Sequence, residues 1–242
     1  MSTAITRTET HTSQSMGNWL AQHWFEMFLA IYGLWVLLPV LPPVLMHIGW
    51  TGIGRGLYFF YSYFCHQLPE RSLFLLGQKT MYSLKEIQAA WQNTVDPLTL
   101  RKFLGNETMG WKIAWSDRMI SFYTSVWLFA WILVPFKQKV KPLPWWGFIL
   151  SLLPITIDGS THMLSDLAGI GQGFRDSNQW LAALTNNALS ASFYTGDALG
   201  SFNSWMRLIT GLLAGLGIVW FVFPYLFQAA VLKEQLHKIK ES

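Results

Sequence analysis

Long apolar runs alternate with short polar segments along most of this 242-residue chain, and four of the runs approach the length of a membrane span. A spanning helix needs about 20 mostly apolar residues, and such runs lie at 24–47, 116–136, 143–164 and 205–230. A fifth apolar segment, 53–76, is interrupted by polar side chains, so it either spans as a short helix or re-enters from the same side. The pattern predicts an all-α polytopic membrane bundle of four to five transmembrane helices.

The segments between these runs are polar, and we expect them to lie outside the membrane. Within 77–115, Ser83 and Glu86 form a capping-box pattern, and Asp96-Pro97 is typical of a helix start. Two short extramembrane helices are therefore predicted in this insertion. The single integral membrane domain, 1–242, also includes a polar N-terminal segment (1–20), a loop (165–204) and a basic tail (231–242).

The composition agrees with burial in lipid. Hydrophobic residues make up 52% of the chain and charged residues only 12%, whereas soluble domains carry roughly 25% charged residues. The single cysteine, Cys65, excludes an intrachain disulfide and a cysteine-rich zinc site. In such a chain the net charge of +4 reflects membrane orientation. We expect membrane lipids and membrane-protein subunits as partners, and no nucleic acid.

The basic residues predict which segments face the cytoplasm, because short cytoplasmic segments carry an excess of Lys and Arg. Three lysines fall in the link 137–141 and three more in the tail 231–242. We therefore expect a multi-pass protein of the cell membrane with a cytoplasmic C-terminus. By alternation of the spans, 77–115 and 165–204 lie outside. The side of the N-terminus depends on whether 53–76 spans or re-enters.

Ionisable residues near the spans gather at the ends that this alternation places outside. Charged side chains within membrane segments cost roughly 2.5–3.5 kcal/mol each, and they usually face the bundle interior and carry function. The candidate site residues are His66, Glu70, Arg71, Arg118, Asp158, His162 and Arg207, with Arg175 of the loop as a further candidate.

Asp158 and His162 are a specific pair within this set. Their i, i+4 spacing places both side chains on one face of a helix. With His66 they would act as catalytic residues, or as ligands of a divalent metal such as zinc that polarises a water molecule. The alternative is an Asp–His hydrogen bond that orients the helix without a metal. No other cofactor is predicted.

Three arginines, Arg71, Arg118 and Arg207, form the second candidate element, with Glu70 beside them. Guanidinium groups bind phosphate or carboxylate through paired hydrogen bonds. Their convergence near the outer headgroup layer predicts a binding site for a phosphorylated lipid. The alternative is internal ion pairing, of Glu70 with Arg71 or Arg118, and of Asp117 with Arg207.

The octapeptide at 65–72, CHQLPERS, resembles the signature of a prokaryotic membrane family known as domain of unknown function 2085. Three later segments are similar to further motifs of that family in the same order: 116–123, 154–162 and 207–215. The resemblance covers about residues 55–217. It implies a multi-pass membrane protein in which these residues matter, and it carries no established activity.

Three functions are consistent with these features. The first is binding of a phosphorylated lipid at a polar outward-facing site, with or without hydrolysis by His66, Asp158 and His162. The second is a non-catalytic accessory subunit of a larger membrane complex, in which the polar residues bind one another. The third is a small-solute transporter, against which the absence of a paired internal repeat argues.

Overall fold

The computed structural model describes residues 2–137 and 139–241, and it describes their side chains except at 2–18, 21, 234, 237, 238, 240 and 241. The helices are α1 (Ser2–Leu37), α2 (Leu41–His47), α3 (Thr51–Tyr61), α4 (Leu84–Ala90), α5 (Pro97–Leu100), α6 (Asp117–Leu133), α7 (Trp145–Asp166), α8 (Phe174–Ser177), α9 (Gln179–Leu184), α10 (Ala191–Tyr194) and α11 (Phe202–Glu241). The strands are β1 (Ser72–Leu75), β2 (Gly105–Asn106) and β3 (Gly110–Ser116), and 3₁₀ turns lie at Leu38–Val40, Pro69–Arg71 and Val134–Phe136.

The helices α6 and α11 run parallel and pack closely. The hydroxyl of Ser121 donates to the carbonyl of Leu208 at 2.6 Å, and the hydroxyl of Ser125 donates to the carbonyl of Gly211 at 3.3 Å. A Cβ atom on Gly215 would overlap the Ser125 hydroxyl. Small residues of this kind let helix backbones approach each other in a membrane, where packing drives association.

The helices α1 and α7 run in the opposite direction to this pair. Just before α7, the backbone N–H of Leu143 donates to the carbonyl of Trp220, far along α11, at 3.2 Å. In α1, the ring of Trp24 lies 5.8 Å from that of Phe223 and 5.1 Å from that of Phe227. The starts of α6 and α11 and the ends of α1 and α7 therefore share one end of the bundle, which we call the polar end.

Three helical segments of the described chain are long and apolar enough to cross a membrane, namely Gln22–His47, Asp117–Phe136 and Phe202–Lys233. They confirm the predicted spans 24–47, 116–136 and 205–230, but a total of four to five is not confirmed. Helix α7 has 22 residues, yet Asp158 and His162 make its last part polar. The interrupted segment forms only the 11-residue α3, which extends about 16 Å and is too short to span.

A small antiparallel sheet in the order β1-β3-β2 lies at the polar end, so the prediction of an all-α fold is incomplete. Ser72 of β1 lies opposite Ser116 of β3, and Gly105 of β2 lies opposite Trp111. Strand β3 is almost entirely buried, so its sequence lacks the apolar–polar alternation that marks a half-buried strand. The two predicted extramembrane helices are present as α4 and α5, and Ser83 forms the expected capping box.

Candidate functional site

Charged side chains from the ends of α6, α7 and α11, from the loop 165–204 and from the turn before β1 meet at the polar end. We define the polar cluster as Arg71, Asp117, Arg118, Asp158, His162, Asp166, Arg175, Asp197 and Arg207. Each of these residues is buried or half-buried. Two of the predicted site residues, His66 and Glu70, lie beside the cluster and outside its ion pairs.

Asp158 binds two arginines from different parts of the chain. Arg118 donates from Nη2 to Oδ2 at 2.7 Å, and Arg175 donates from Nη2 to Oδ1 at 2.7 Å. The Nδ1 atom of His162 lies 3.0 Å from the backbone carbonyl of Asp158 and 3.2 Å from Nη2 of Arg118. Asp158 and His162 lie close together, as predicted, but the Asp158 carboxylate binds the guanidinium groups of Arg118 and Arg175.

Asp197 likewise binds two arginines, on the other side of the cluster. It accepts hydrogen bonds from Nε of Arg71 at 2.7 Å and from Nη1 of Arg207 at 2.6 Å, and its Oδ1 lies 3.5 Å from Nε2 of His162. Burial by itself raises the pKa of the Asp197 carboxyl, but Arg71, Arg207 and His162 together lower it by more, so the pKa lies well below its ordinary value. Asp197 is therefore a carboxylate that links the loop to two helical segments.

Each of these two arginines also binds a second carboxylate. Arg71 donates from both terminal nitrogens to Asp166, at 2.6 and 2.7 Å. Arg207 donates from Nε to both oxygens of Asp117 at 2.8 Å. This last pair is the one that the ion-pairing alternative predicts. Paired geometry of this kind is the strong form of a charge-assisted hydrogen bond.

The polar cluster contains four arginines and four aspartates, and every one of them has an opposite charge within 2.8 Å. Removing one partner from such a buried pair typically costs about 3–5 kcal/mol, because it leaves an uncompensated charge. The arginines predicted as an anion clamp are thus already bound to carboxylates of the chain, which is the arrangement expected of an internal structural network.

The side chain of His66 is exposed beside the cluster. Its Nδ1 accepts a hydrogen bond from the backbone N–H of Leu68 at 3.1 Å. The surrounding protein and then the charges of Arg71, Arg118 and Arg207 lower the pKa of the imidazole, although it keeps access to solvent. His66 is therefore a neutral hydrogen-bonding group in a positive field.

The predicted metal triad of His66, Asp158 and His162 is not assembled in the described part of the chain. No group of three or more His, Cys, Asp or Glu side chains there is placed to hold a metal ion. The Asp158 carboxylate binds two guanidinium groups, so its oxygens are occupied. The same geometry gives His66 no carboxylate partner with which to act as a general base.

Glu70 and Lys112 are two further buried ionisable residues near the cluster. Glu70 is 2% exposed, and neither carboxyl oxygen has a hydrogen-bond partner among the described residues. Burial raises its pKa to about 7. Lys112 of β3 donates to the carbonyls of Gln67 and Arg101 at 2.6 and 2.8 Å, and burial lowers its pKa to about 7.

Sequence reasoning missed three charged residues at this end, namely Asp166, Asp197 and Lys112. Asp166 follows His162 by four positions on the same helix, so helical spacing alone could have identified it. Asp197 lies in an irregular loop, and no pattern marks its partners. Lys112 lies within a strand that was itself not predicted.

Together the bundle and the polar cluster define a helical membrane protein whose buried charges balance at one end. Residues 107–221 match the family model described as predicted membrane protein (DUF2085), which confirms the predicted resemblance for this segment. The match includes every member of the polar cluster except Arg71. The octapeptide at 65–72 lies outside it, so its assignment as a family signature stays a prediction.

The chain is also 25% identical over 196 residues to an uncharacterized protein of the archaeon Methanocaldococcus jannaschii. That alignment covers 78% of this chain and 83% of the relative. No solved structure matches the chain. These comparisons support a predicted membrane protein of unknown function, and they say nothing of a ligand or a reaction.

Proposed function

We propose that the protein is a non-catalytic subunit of a larger membrane complex, and that the polar cluster fixes a surface for a partner protein. The observation that carries the proposal is the pairing of all four cluster arginines with carboxylates of the same chain. A catalytic or anion-binding site needs charged groups that are left available for the ligand, whereas a network whose arginines all have carboxylate partners stabilises one arrangement of the segments that it joins.

The topology that we propose has four helices in the membrane, with the polar end outside. The link 137–141 joins α6 to α7 at the opposite end of the bundle, and its lysines favour the cytoplasm. Helix α7 fits in the membrane as the fourth helix because Asp158 and His162 bind within the cluster instead of facing lipid. Since α1 ends at the polar end, both termini lie in the cytoplasm.

The loop 165–204 supplies the surface for the partner. Leu167, Trp180, Leu184 and Leu199 are 80%, 53%, 75% and 59% exposed. In the proposed topology these side chains lie outside the membrane, where large exposed apolar groups typically mark an interface. Ion pairs of the polar cluster anchor the loop at two points, through Arg175 and Asp197, so this surface is held in a fixed position.

The test is co-purification from the native host membrane in a mild detergent, followed by native mass spectrometry. We expect a second protein bound to the wild type and to the control Leu98→Glu, which changes an exposed residue of α5. The double variant Leu167→Glu, Leu184→Glu should lose that protein while keeping its thermal stability. A wild type without a protein partner, or a double variant that retains it, would contradict the proposal.

A second candidate function is the binding of a phosphorylated lipid at His66, where the exposed imidazole lies in the field of three arginines. Native mass spectrometry with added phosphatidic acid tests it. If the lipid binds here, His66→Ala should weaken binding, whereas the exposed control His47→Ala should not. Release of inorganic phosphate from the same lipid would test hydrolysis. Small-solute transport stays a prediction from the sequence, since no feature of the site favours it.

A further inference from the structure

A second concave site lies apart from the polar cluster, between α2 and α3 on one side and the insertion 77–115 on the other. It is a groove of about 320 Å³. We define the aromatic–cationic groove by Met46, Arg55, Trp91, Lys102, Phe103 and Trp111, which line it. No Asp or Glu is among its lining residues.

The two cations of the groove are free, unlike the arginines of the polar cluster. Arg55 and Lys102 are both exposed. Within the described chain neither side chain forms a hydrogen bond or an ion pair. The charge of Lys102 acts weakly on Asp96, but the two residues make no direct contact within ion-pair distance. The groove therefore offers two positive charges without a carboxylate between them.

The groove opens where a span ends. Met46 belongs to the last turn of the segment Gln22–His47, which is long and apolar enough to cross a membrane. The next helix, α3, exposes Ile53, Phe59 and Phe60, which are 59%, 65% and 46% accessible. A short helix with exposed aromatic and aliphatic side chains is typical of the membrane interface. Arg55 lies on this helix, so the proposed topology brings it near the lipid phosphates.

We propose that the aromatic–cationic groove binds an anionic phospholipid. Its phosphate lies between Arg55 and Lys102, and its acyl chains follow the exposed apolar face of α3. Two cations bind a phosphate ester through charge-assisted hydrogen bonds, and the apolar face of α3 buries the chains. A free phosphate would contact only the two cations, because it has no acyl chains. The groove is separate from the loop 165–204, to which the proposed partner protein binds.

The test uses the full-length protein in detergent and native mass spectrometry with phosphatidylglycerol, phosphatidylcholine and inorganic phosphate as probes. Basic residues near a membrane surface contribute about 1 kcal/mol each toward anionic lipid. Arg55→Ala, Lys102→Ala should therefore weaken phosphatidylglycerol binding about tenfold to thirtyfold. Lys79→Ala, Lys85→Ala removes the same number of positive charges from the insertion 77–115 outside the groove, and it should change binding less than twofold.

Four outcomes would overturn the proposal. The first is a groove variant that binds phosphatidylglycerol as tightly as the wild type, and the second is equal loss in both double variants, which would indicate a general effect of charge. Equal binding of phosphatidylcholine, which has a phosphate but no net charge, would show that the groove does not select an anionic lipid. Complete displacement of the lipid by inorganic phosphate at equal concentration would assign the groove to a free anion. None of these results bears on the partner protein, so the two proposals fail separately.

Discussion

The polar cluster and the aromatic–cationic groove lie at the same end of the bundle and both contain cations, but their charges have different partners. In the cluster, each guanidinium group is buried or half-buried and binds at least one carboxylate of the chain. In the groove, Arg55 and Lys102 are exposed and unpaired within the described residues. A concentration of arginines in a membrane protein therefore does not by itself indicate a ligand. What matters is whether the chain already supplies the counter-charges.

The largest effect is expected from Asp197→Ala, which leaves Arg71 and Arg207 each without one of their carboxylates. Because a buried charge that loses its partner is strongly unfavourable, the free energy of unfolding should fall by about 3–5 kcal/mol. Denaturant unfolding in detergent measures it, with Arg55→Ala as the control. A loss below about 1 kcal/mol would mean that the cluster is not a stabilising network.

Glu70 provides the second prediction, because burial raises its pKa from 4.5 to about 7. Between these two values Glu70 holds a proton in the folded protein that it has released in the unfolded chain, so its contribution to stability falls as the pH rises through this window. Above pH 7 the buried charge costs up to about 3 kcal/mol.

Relative to Glu70→Gln, the wild type should lose stability between pH 5 and pH 8, because both proteins share the titration of His66 and Lys112 and differ only at residue 70. The variant should be the more stable of the two at pH 8. Thermal unfolding at pH 5 and pH 8 measures both effects, and the exposed residue Glu107 provides the control variant Glu107→Gln. An equal change in stability for the wild type and Glu70→Gln between these pH values would show that Glu70 has a cation partner that keeps it charged.

Gly215→Val tests packing next to the cluster without changing a charge. The added side chain would overlap Ser125 of α6, so α6 and α11 must separate. Overpacking of this kind typically costs about 2 kcal/mol. Denaturant unfolding should show that loss, and Ser125→Gly in the same chain should restore part of it. No effect of Gly215→Val would mean that the helices have room to move apart.

The smallest effect is expected from Arg55→Ala and Lys102→Ala. Neither residue has a partner to lose, so each change in the free energy of unfolding should stay within about 0.5 kcal/mol. The same unfolding measurement without added lipid checks this. A larger loss for either variant would show that the groove cations stabilise the fold, and the contrast with the polar cluster would no longer hold.

Much of this arrangement could be predicted from the sequence, because hydropathy and span order are local properties. They placed Arg118, Asp158, His162 and Arg207 at one end of the bundle, and the structure joins these residues in one network. Which carboxylate pairs with which arginine depends instead on tertiary contacts. Asp197 approaches Arg71 from 126 positions away, which no local pattern encodes. The sheet was missed for a related reason, because burial on both faces of β3 removes its alternating pattern.

The ion pairs of Arg71 have a consequence for biogenesis. Arg71 is synthesised early, but its partners Asp166 and Asp197 follow 95 and 126 positions later. The guanidinium group thus stays without these counter-ions until residue 166 of 242 has been synthesised, and it gains the second only after residue 197. Assembly of this end is consequently a late event during insertion, and a truncated chain would expose an orphan charge that quality-control proteases can recognise.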